Sequence, residues 1–232
     1  MTPESALKPS KALPGAHGVR LVSHFPFSFQ EIKQHGDHNE SDGGTSNSAG
    51  NQRLILQFGD KNFSETIVNV LTSLPFIVLG LQTPRKNLNC TIYANSLIGV
   101  GVASSFYHAS RGKLRKYLRW ADYTMIATAT VCLSRAIRNE NPKLLMAASA
   151  FFLPIQPLMV SAVHTGMMEV VFAKRAFQEH HLRPAHSVHK MSFLLGGALF
   201  IADDLLPEAP FLHACWHLAA AVGVCTCNKL LD

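Results

Sequence analysis

The sequence predicts an all-α, polytopic membrane protein, in which a disordered N-terminal tail precedes a bundle of seven transmembrane helices. Residues 1–52 are rich in serine, glycine, asparagine and histidine and offer little from which to build a core. Residues 53–232 consist instead of apolar stretches separated by short basic or proline-containing breaks. Two of these stretches, Leu144–Leu153 and Met191–Ala202, lack the charged face that surface helices of soluble proteins carry. We therefore expect a polar tail over 1–52 and a membrane domain over 53–232.

Each predicted span approaches the ~20 apolar residues that cross a bilayer as a helix. In chain order the spans cover residues 64–82, 91–109, 119–138, 142–157, 158–178, 189–206 and 209–228. The fourth is the shortest, and Pro154 and Pro157 mark its boundary with the fifth. No apolar signal-peptide core precedes the first span, so we expect that span itself to direct insertion.

The basic character of the chain has a simple interpretation in this architecture. The net charge of +6 comes from lysines and arginines in the loops. Basic loops are normal in membrane proteins. We therefore predict no nucleic-acid partner.

Alternating spans bring the polar residues of several helices to one side of the membrane, the side of the N-terminal tail, which we call side A. Spans 1, 3, 5 and 7 begin at side A, and spans 2, 4 and 6 end there. The polar residues that fall near side A are Asp60, Glu65, Ser104, His108, Asp122, Asp203, Asp204, His213 and His217. Because ionisable groups in a bilayer cost a few kcal/mol each and usually mark function, their convergence predicts a site.

The spacing of two histidines in the last span indicates a metal. His213 and His217 lie one helical turn apart on the same face, and His108 can supply a third ligand from span 2. Three imidazoles and a water form the ligand set of a catalytic zinc ion, which keeps one position open. Bound zinc lowers the pKa of water to ~7 and polarises a carbonyl. The alternative for each histidine is a hydrogen-bonded residue of the core.

Two further residues are candidates for catalysis. Asp122 lies at a helix start, where the positive helix end stabilises a carboxylate, and we predict that it is the general base. Its alternative is a helix cap or an ion pair with Arg115 or Arg119. Ser104 lies one turn before His108 and can hydrogen-bond the reacting water or the developing oxyanion. Its alternative is small-residue helix packing.

Other polar residues give weaker indications. The loop between spans 5 and 6 is predicted to be solvated, with a second metal site as the alternative; its histidines are His180, His181, His186 and His189. His164 is a candidate for the wall of the pocket, and Glu169 for pairing with Lys174 or a neighbouring helix. Asp203 and Asp204 either orient the histidines or cap the end of their helix.

These motifs resemble the CREST superfamily of seven-helix membrane hydrolases, which contains the alkaline ceramidases and the adiponectin-type receptors. Its pattern is Ser-x-x-x-His in helix 2, Asp in helix 3 and His-x-x-x-His in helix 7. Here the pattern reads Ser104 to His108, Asp122, and His213 to His217. Residues 211–218 are similar to the His-Ala-Trp-Trp-His helix of alkaline ceramidases, and residues 69–76 to their first helix.

The resemblance covers about residues 58–230 and implies a function. By it, His108, His213 and His217 bind Zn²⁺, Asp122 activates the water and Ser104 supports the site. The implied reaction is hydrolysis of the amide bond of a ceramide-like lipid to a sphingoid base and a fatty acid, in the endoplasmic reticulum or Golgi.

One departure from the ceramidases concerns calcium. Their acidic N-terminal run, Asp-Trp-x-Glu-x-Asn, binds calcium, but only residues 60–65 stand in its place here. This argues against bound Ca²⁺ and against ceramide itself as the substrate.

Three other classes of function are open to the same fold. A receptor or scaffold would hold zinc without turnover. A haem-binding bundle fits less well, because His213 and His217 share one helix face whereas axial ligands approach from opposite faces. A transporter would carry paired broken helices, which the sequence does not suggest.

Overall fold

The computed structural model describes residues 60, 62–138, 142–206 and 208–231, and it is helical throughout. The helices are α1 (Phe63–Gln82), α2 (Leu88–Ala109), α3 (Lys113–Arg138), α4 (Lys143–Phe152), α5 (Pro157–Gln178), α6 (Arg183–Leu205) and α7 (Leu212–Asn228). A short 3₁₀ helix, His180–Leu182, leads directly into α6. The described residues contain no strand, so the predicted all-α class with seven helices is confirmed for this part of the chain. The predicted disordered tail, residues 1–52, lies outside the described residues.

Helix α4 ends earlier than its predicted span. It contains 10 residues and ends at Phe152, whereas the sequence predicted a span over 142–157. A helix of that length extends about 15 Å, roughly half of a bilayer core. Its end has a physical cause, because Pro154 lacks the N–H that would continue the helix and Pro157 is the first residue of α5.

Helix α6 begins earlier than predicted. Arg183 is its first residue, so His186 and His189 lie within the helix. The prediction that these two belong to a loop is wrong. His180 and His181 do lie outside α6, in the 3₁₀ helix, where both are exposed.

Helices α1 and α2 pack closely because glycines line their contact. A Cβ atom added to Gly101 would lie 3.0 Å from the carbonyl oxygen of Ser73, and one added to Gly80 would lie 2.7 Å from that of Ala94. Both positions therefore need the absence of a side chain. This close approach brings polar residues of α1 next to the end of α2.

The apolar core joins α2, α3, α5 and α7. Its largest fully buried side chains include Tyr93 of α2 and Phe172 of α5, and Leu133 of α3 and Cys227 of α7 belong to the same cluster. This core holds the helices whose ends carry the polar residues considered next.

The hydropathy of the helices bears on membrane placement. Within the described residues, only α1 has both the length and the mean hydropathy, 1.5, of a membrane-crossing helix. One such helix also occurs in the cores of soluble proteins. The membrane placement of the bundle therefore stays a prediction.

Candidate metal centre

Three histidines come together at one end of the bundle. His108 lies in the last turn of α2, and His213 and His217 lie in the first turns of α7. The chain enters α7 through Phe211, which has a φ of 63°. A bulky residue in this left-handed region is strained, and such strain occurs where neighbouring structure enforces a particular geometry.

The facing nitrogens of these histidines are close together. One ligand atom from each of His108, His213 and His217 lies within 4.8 Å of the other two. The three rings are 4.7 to 5.2 Å apart between centroids. The Nε2 atom of each histidine is buried and has no hydrogen-bond partner among the described residues. A buried polar atom without a hydrogen-bond partner costs ~1–3 kcal/mol, so the three Nε2 atoms favour a ligand that contacts all of them.

The other ring nitrogen of each histidine has a partner that determines the tautomer. His108 Nδ1 lies 3.2 Å from Asp60 Oδ2, and His213 Nδ1 lies 2.9 Å from Asp203 Oδ2. Because an ionised carboxylate only accepts hydrogen bonds, both Nδ1 atoms are the donors. Their Nε2 atoms are therefore left with a lone pair that faces the cluster.

The third histidine follows the same logic through a hydroxyl group. His217 Nδ1 lies 3.0 Å from Thr72 Oγ1. That hydroxyl donates its single hydrogen to backbone carbonyls of its own helix, the nearest being that of Val68 at 2.8 Å. Thr72 therefore accepts from His217 Nδ1, which again directs the Nε2 lone pair toward the other histidines.

Asp60 is the centre of a buried charge network at this site. Its carboxylate accepts hydrogen bonds from His108, from Asn69 Nδ2 at 3.1 Å and from Arg115. Burial alone would raise the pKa of the Asp60 carboxyl, but the hydrogen bond and charge of His108 and the guanidinium of Arg115 hold it well below its usual range. Asp60 is therefore ionised when it receives the His108 hydrogen.

Arg115 ties this network to the connection between α2 and α3. Its guanidinium donates to the carbonyl of Tyr107 at 3.2 Å and lies 4.3 Å from the centroid of the Tyr107 ring. The side chain is 12% exposed and Asp60 is 7% exposed. Substitution of either residue would therefore leave the other charge buried without its partner.

The two predicted catalytic residues are both buried but are placed differently. Ser104 lies one turn before His108, and its Oγ is 3.0 Å from Ser73 Oγ of α1. The prediction that Asp122 lies at a helix start is wrong, because α3 begins at Lys113, nine residues before it. Asp122 is 1% exposed, and its Oδ1 has no hydrogen-bond partner in the described part of the chain. Neither forms a hydrogen bond with the three histidines, so their catalytic roles stay predictions.

Several other candidates lie apart from the cluster. His164 Nε2 lies 2.8 Å from Ser149 Oγ, on α4. Glu169 pairs with His189 of α6 rather than with Lys174. Within the described residues Asp204 makes no hydrogen bond to a histidine, whereas Asp203 orients His213. Across the described residues there is no second group of three His, Cys, Asp or Glu side chains close enough to share an ion.

Two partners of the histidines were not identified as such from the sequence. Asp60 was predicted to lie among the polar residues near side A and in the segment that stands where ceramidases bind calcium, but not to be a partner of His108. Thr72 belongs to the 69–76 motif, and its signal is the spacing of Asn69, Thr72 and Ser73, which places them on one face of α1.

The residues present fit a bound metal ion. Three neutral imidazoles with converging lone pairs, each oriented by a partner on its other nitrogen, form the arrangement by which proteins hold zinc. A three-histidine set also leaves coordination positions for water or substrate.

Comparisons with known protein families, with curated proteins and with solved structures found no match to this chain.

Proposed function

We propose that this protein is a zinc-dependent membrane hydrolase that cleaves the amide bond of ceramide-like lipids, an amidohydrolase of the alkaline ceramidase type. The observation that carries the proposal is the set of three converging, unpartnered Nε2 atoms of His108, His213 and His217. The Nδ1 atom of each histidine donates a hydrogen bond to an acceptor. Histidines that bind metals are usually oriented by a hydrogen bond of this kind from their other ring nitrogen.

The roles predicted for Asp122 and Ser104 suit the steps of amide hydrolysis. His108, His213 and His217 would hold a zinc ion, which would supply an acidified water and polarise the amide carbonyl. Asp122, a buried carboxylate with an unpartnered oxygen, accepts the proton of the attacking water and returns it to the leaving nitrogen. The water oxygen ends in the fatty acid, and the sphingoid base leaves as the amine. Ser104 supports the developing oxyanion.

The lipid substrate and the membrane placement belong to the same proposal. Large apolar side chains are more than half exposed on α1, at Leu71 and Leu81, and on α6, at Met191 and Leu194. Exposed apolar surface on this scale is expected of a chain whose solvent is lipid. The resemblance of the motifs to alkaline ceramidases adds the amide bond and suggests the endoplasmic reticulum or Golgi.

The test is turnover by the purified, zinc-loaded chain. The protein is incubated with a panel of lipid amides and esters that includes ceramides, and the released fatty acid and amine are quantified by mass spectrometry. We expect release from at least one amide, with retention of zinc but loss of turnover in Asp122→Asn. Zinc-loaded protein that turns over no lipid in the panel would favour the receptor-like alternative, in which the same fold holds its metal without catalysis.

A further inference from the structure

A small cavity lies at the end of the bundle opposite the metal centre, between α3, α4 and α5. Its wall includes Ser134, Arg135 and Arg138 from the last turns of α3, Leu145 and Met146 of α4, and His164 of α5. Arg115, near the start of α3, contacts the metal centre through Asp60, whereas Arg135 lies 20 residues further along the same helix. The two sites are therefore about 30 Å apart.

Arg135 has no counter-charge among the described residues. Its Nε atom is buried without a hydrogen-bond partner, and its guanidinium makes no ion pair with any described residue. No acidic residue is found among the described residues that line the cavity. Arg135 is half-buried, and because a buried donor atom normally has a hydrogen-bond partner, its Nε favours an anionic acceptor from outside the chain.

His164 adds a second unsatisfied atom of a particular kind. It is 2% exposed, and its Nδ1 is buried without a partner in the described residues. Ser149 donates its hydroxyl hydrogen to the carbonyl of Leu145 at 2.8 Å, so it accepts from His164 Nε2 at 2.8 Å. The proton of a neutral His164 is therefore on Nε2, and Nδ1 is a hydrogen-bond acceptor.

We propose that this cavity is a binding site for a phosphate group that still carries a proton, such as a phosphate monoester. The deprotonated oxygens accept from the guanidinium of Arg135, which suits phosphate geometry. The remaining P–OH donates to His164 Nδ1. A phosphodiester or a sulfate ion has no such proton at neutral pH and leaves the Nδ1 unsatisfied.

The size and position of the cavity limit the occupant. Its volume is about 10 Å³, close to the space that one water molecule requires, so it admits an oxygen of a larger group rather than a whole lipid. Basic pockets at the ends of membrane helices bind lipid head groups. The phosphate therefore comes either from a lipid monoester, phosphatidic acid, or from a free phosphate ion, and the chemistry at Arg135 and His164 is the same for both.

The experiment uses the full-length chain in detergent with its metal content held constant. Thermal unfolding is followed with inorganic phosphate and with sulfate at equal ionic strength. Native mass spectrometry compares phosphatidic acid with phosphatidylcholine of the same acyl chains. Arg135→Gln and His164→Phe are the test variants, and Arg85→Gln, which removes an exposed arginine outside the cavity, is the matched control.

We expect stabilisation by phosphate but not by sulfate, or retention of phosphatidic acid but not of phosphatidylcholine. Arg135→Gln should weaken that binding about tenfold, the loss expected when a charged donor is removed, and Arg85→Gln should not. His164→Phe should abolish the preference for the protonated ligand. Binding of only one of the two ligands, inorganic phosphate or phosphatidic acid, supports the phosphate site and shows whether its phosphate group comes from a free ion or from a lipid.

Three results would overturn the proposal: no response to either ligand, sulfate as effective as phosphate, or equal losses in Arg135→Gln and Arg85→Gln. If Arg135→Gln does not fold, Arg135→Lys replaces it as the test variant, because it keeps the charge but loses the planar guanidinium. The comparison of phosphate with sulfate in the unmodified chain then still tests the proposed site.

Discussion

The partners of the histidine Nδ1 atoms allow a graded prediction about metal affinity. Asp60 and Asp203 each accept a hydrogen bond from a histidine, yet their surroundings differ. The Asp60 side chain is 7% exposed and also neutralises the buried Arg115, whereas Asp203 is 36% exposed. Substitution of Asp60 by Asn should therefore damage the site more than the same substitution of Asp203.

The expected magnitudes follow from these environments. Loss of a group that orients a metal ligand typically lowers metal affinity ~10–100-fold. Asp60→Asn removes the buried charge that faces both His108 and Arg115, so we expect about a 100-fold loss, equivalent to ~2.8 kcal/mol. Asp203→Asn should cost about tenfold, because water can replace part of the interaction at a partly exposed position.

The assay is competition for zinc between the purified chain and a chromophoric chelator, with circular dichroism to confirm that each variant is helical. Asp204→Asn is the matched control, since this neighbouring carboxylate makes no hydrogen bond to a histidine and its loss should leave zinc affinity unchanged. Equal affinities for the wild-type chain, Asp60→Asn and Asp203→Asn would refute the reasoning. A loss in Asp204→Asn as large as that in Asp203→Asn would refute it equally.

Three further predictions concern catalysis, the third histidine and orientation. Asp122→Asn should lower kcat by ~10²–10⁴-fold while zinc content stays near the wild-type value, since the carboxylate is proposed as a base; loss of zinc together with activity would make it a ligand or a structural residue. Thr72→Val should weaken zinc binding about tenfold by removing the acceptor of His217 Nδ1, whereas Thr72→Ser should retain affinity; equal affinities in both variants would argue against this contact. An N-terminal glycosylation tag should be modified and a C-terminal tag should not, because the loops and helix ends opposite side A, with the C-terminal tail, carry ten lysines and arginines, whereas the loops and helix ends on side A, the N-terminal tail left out, carry five. Modification of only the C-terminal tag would reverse the orientation, and both termini on one side would mean an even number of spans.

The sequence predicted the helices because each apolar stretch is long and ends at a recognisable break. The bounds of α1 and α5 differ from the predicted spans by a single residue at their first positions. The proximity of His108 to His213 and His217 followed from two simple rules, the alternation of helix direction and the i, i+4 spacing. Neither rule requires knowledge of how each helix is rotated about its axis.

Contacts that depend on that rotation could not be predicted in the same way. Thr72 and His217 are 145 residues apart, and Asp60 and His108 are 48 apart. When apolar side chains occur on most faces of a helix, the apolar pattern does not indicate which polar residue faces which neighbour. A neighbouring helix was one predicted partner of Glu169, but His189 was not named as the residue, for this reason and because α6 begins earlier than its apolar stretch.

The metal content of the purified chain tests the central claim most directly. Elemental analysis should find about one zinc per chain, bound by a site with three histidine ligands. His217→Ala should lose most of this metal, whereas His181→Ala, which removes a histidine that is 75% exposed in the 3₁₀ helix, should retain it. Protein that contains no transition metal and whose stability is unaffected by chelators would contradict the account, as would equal metal loss in the two variants.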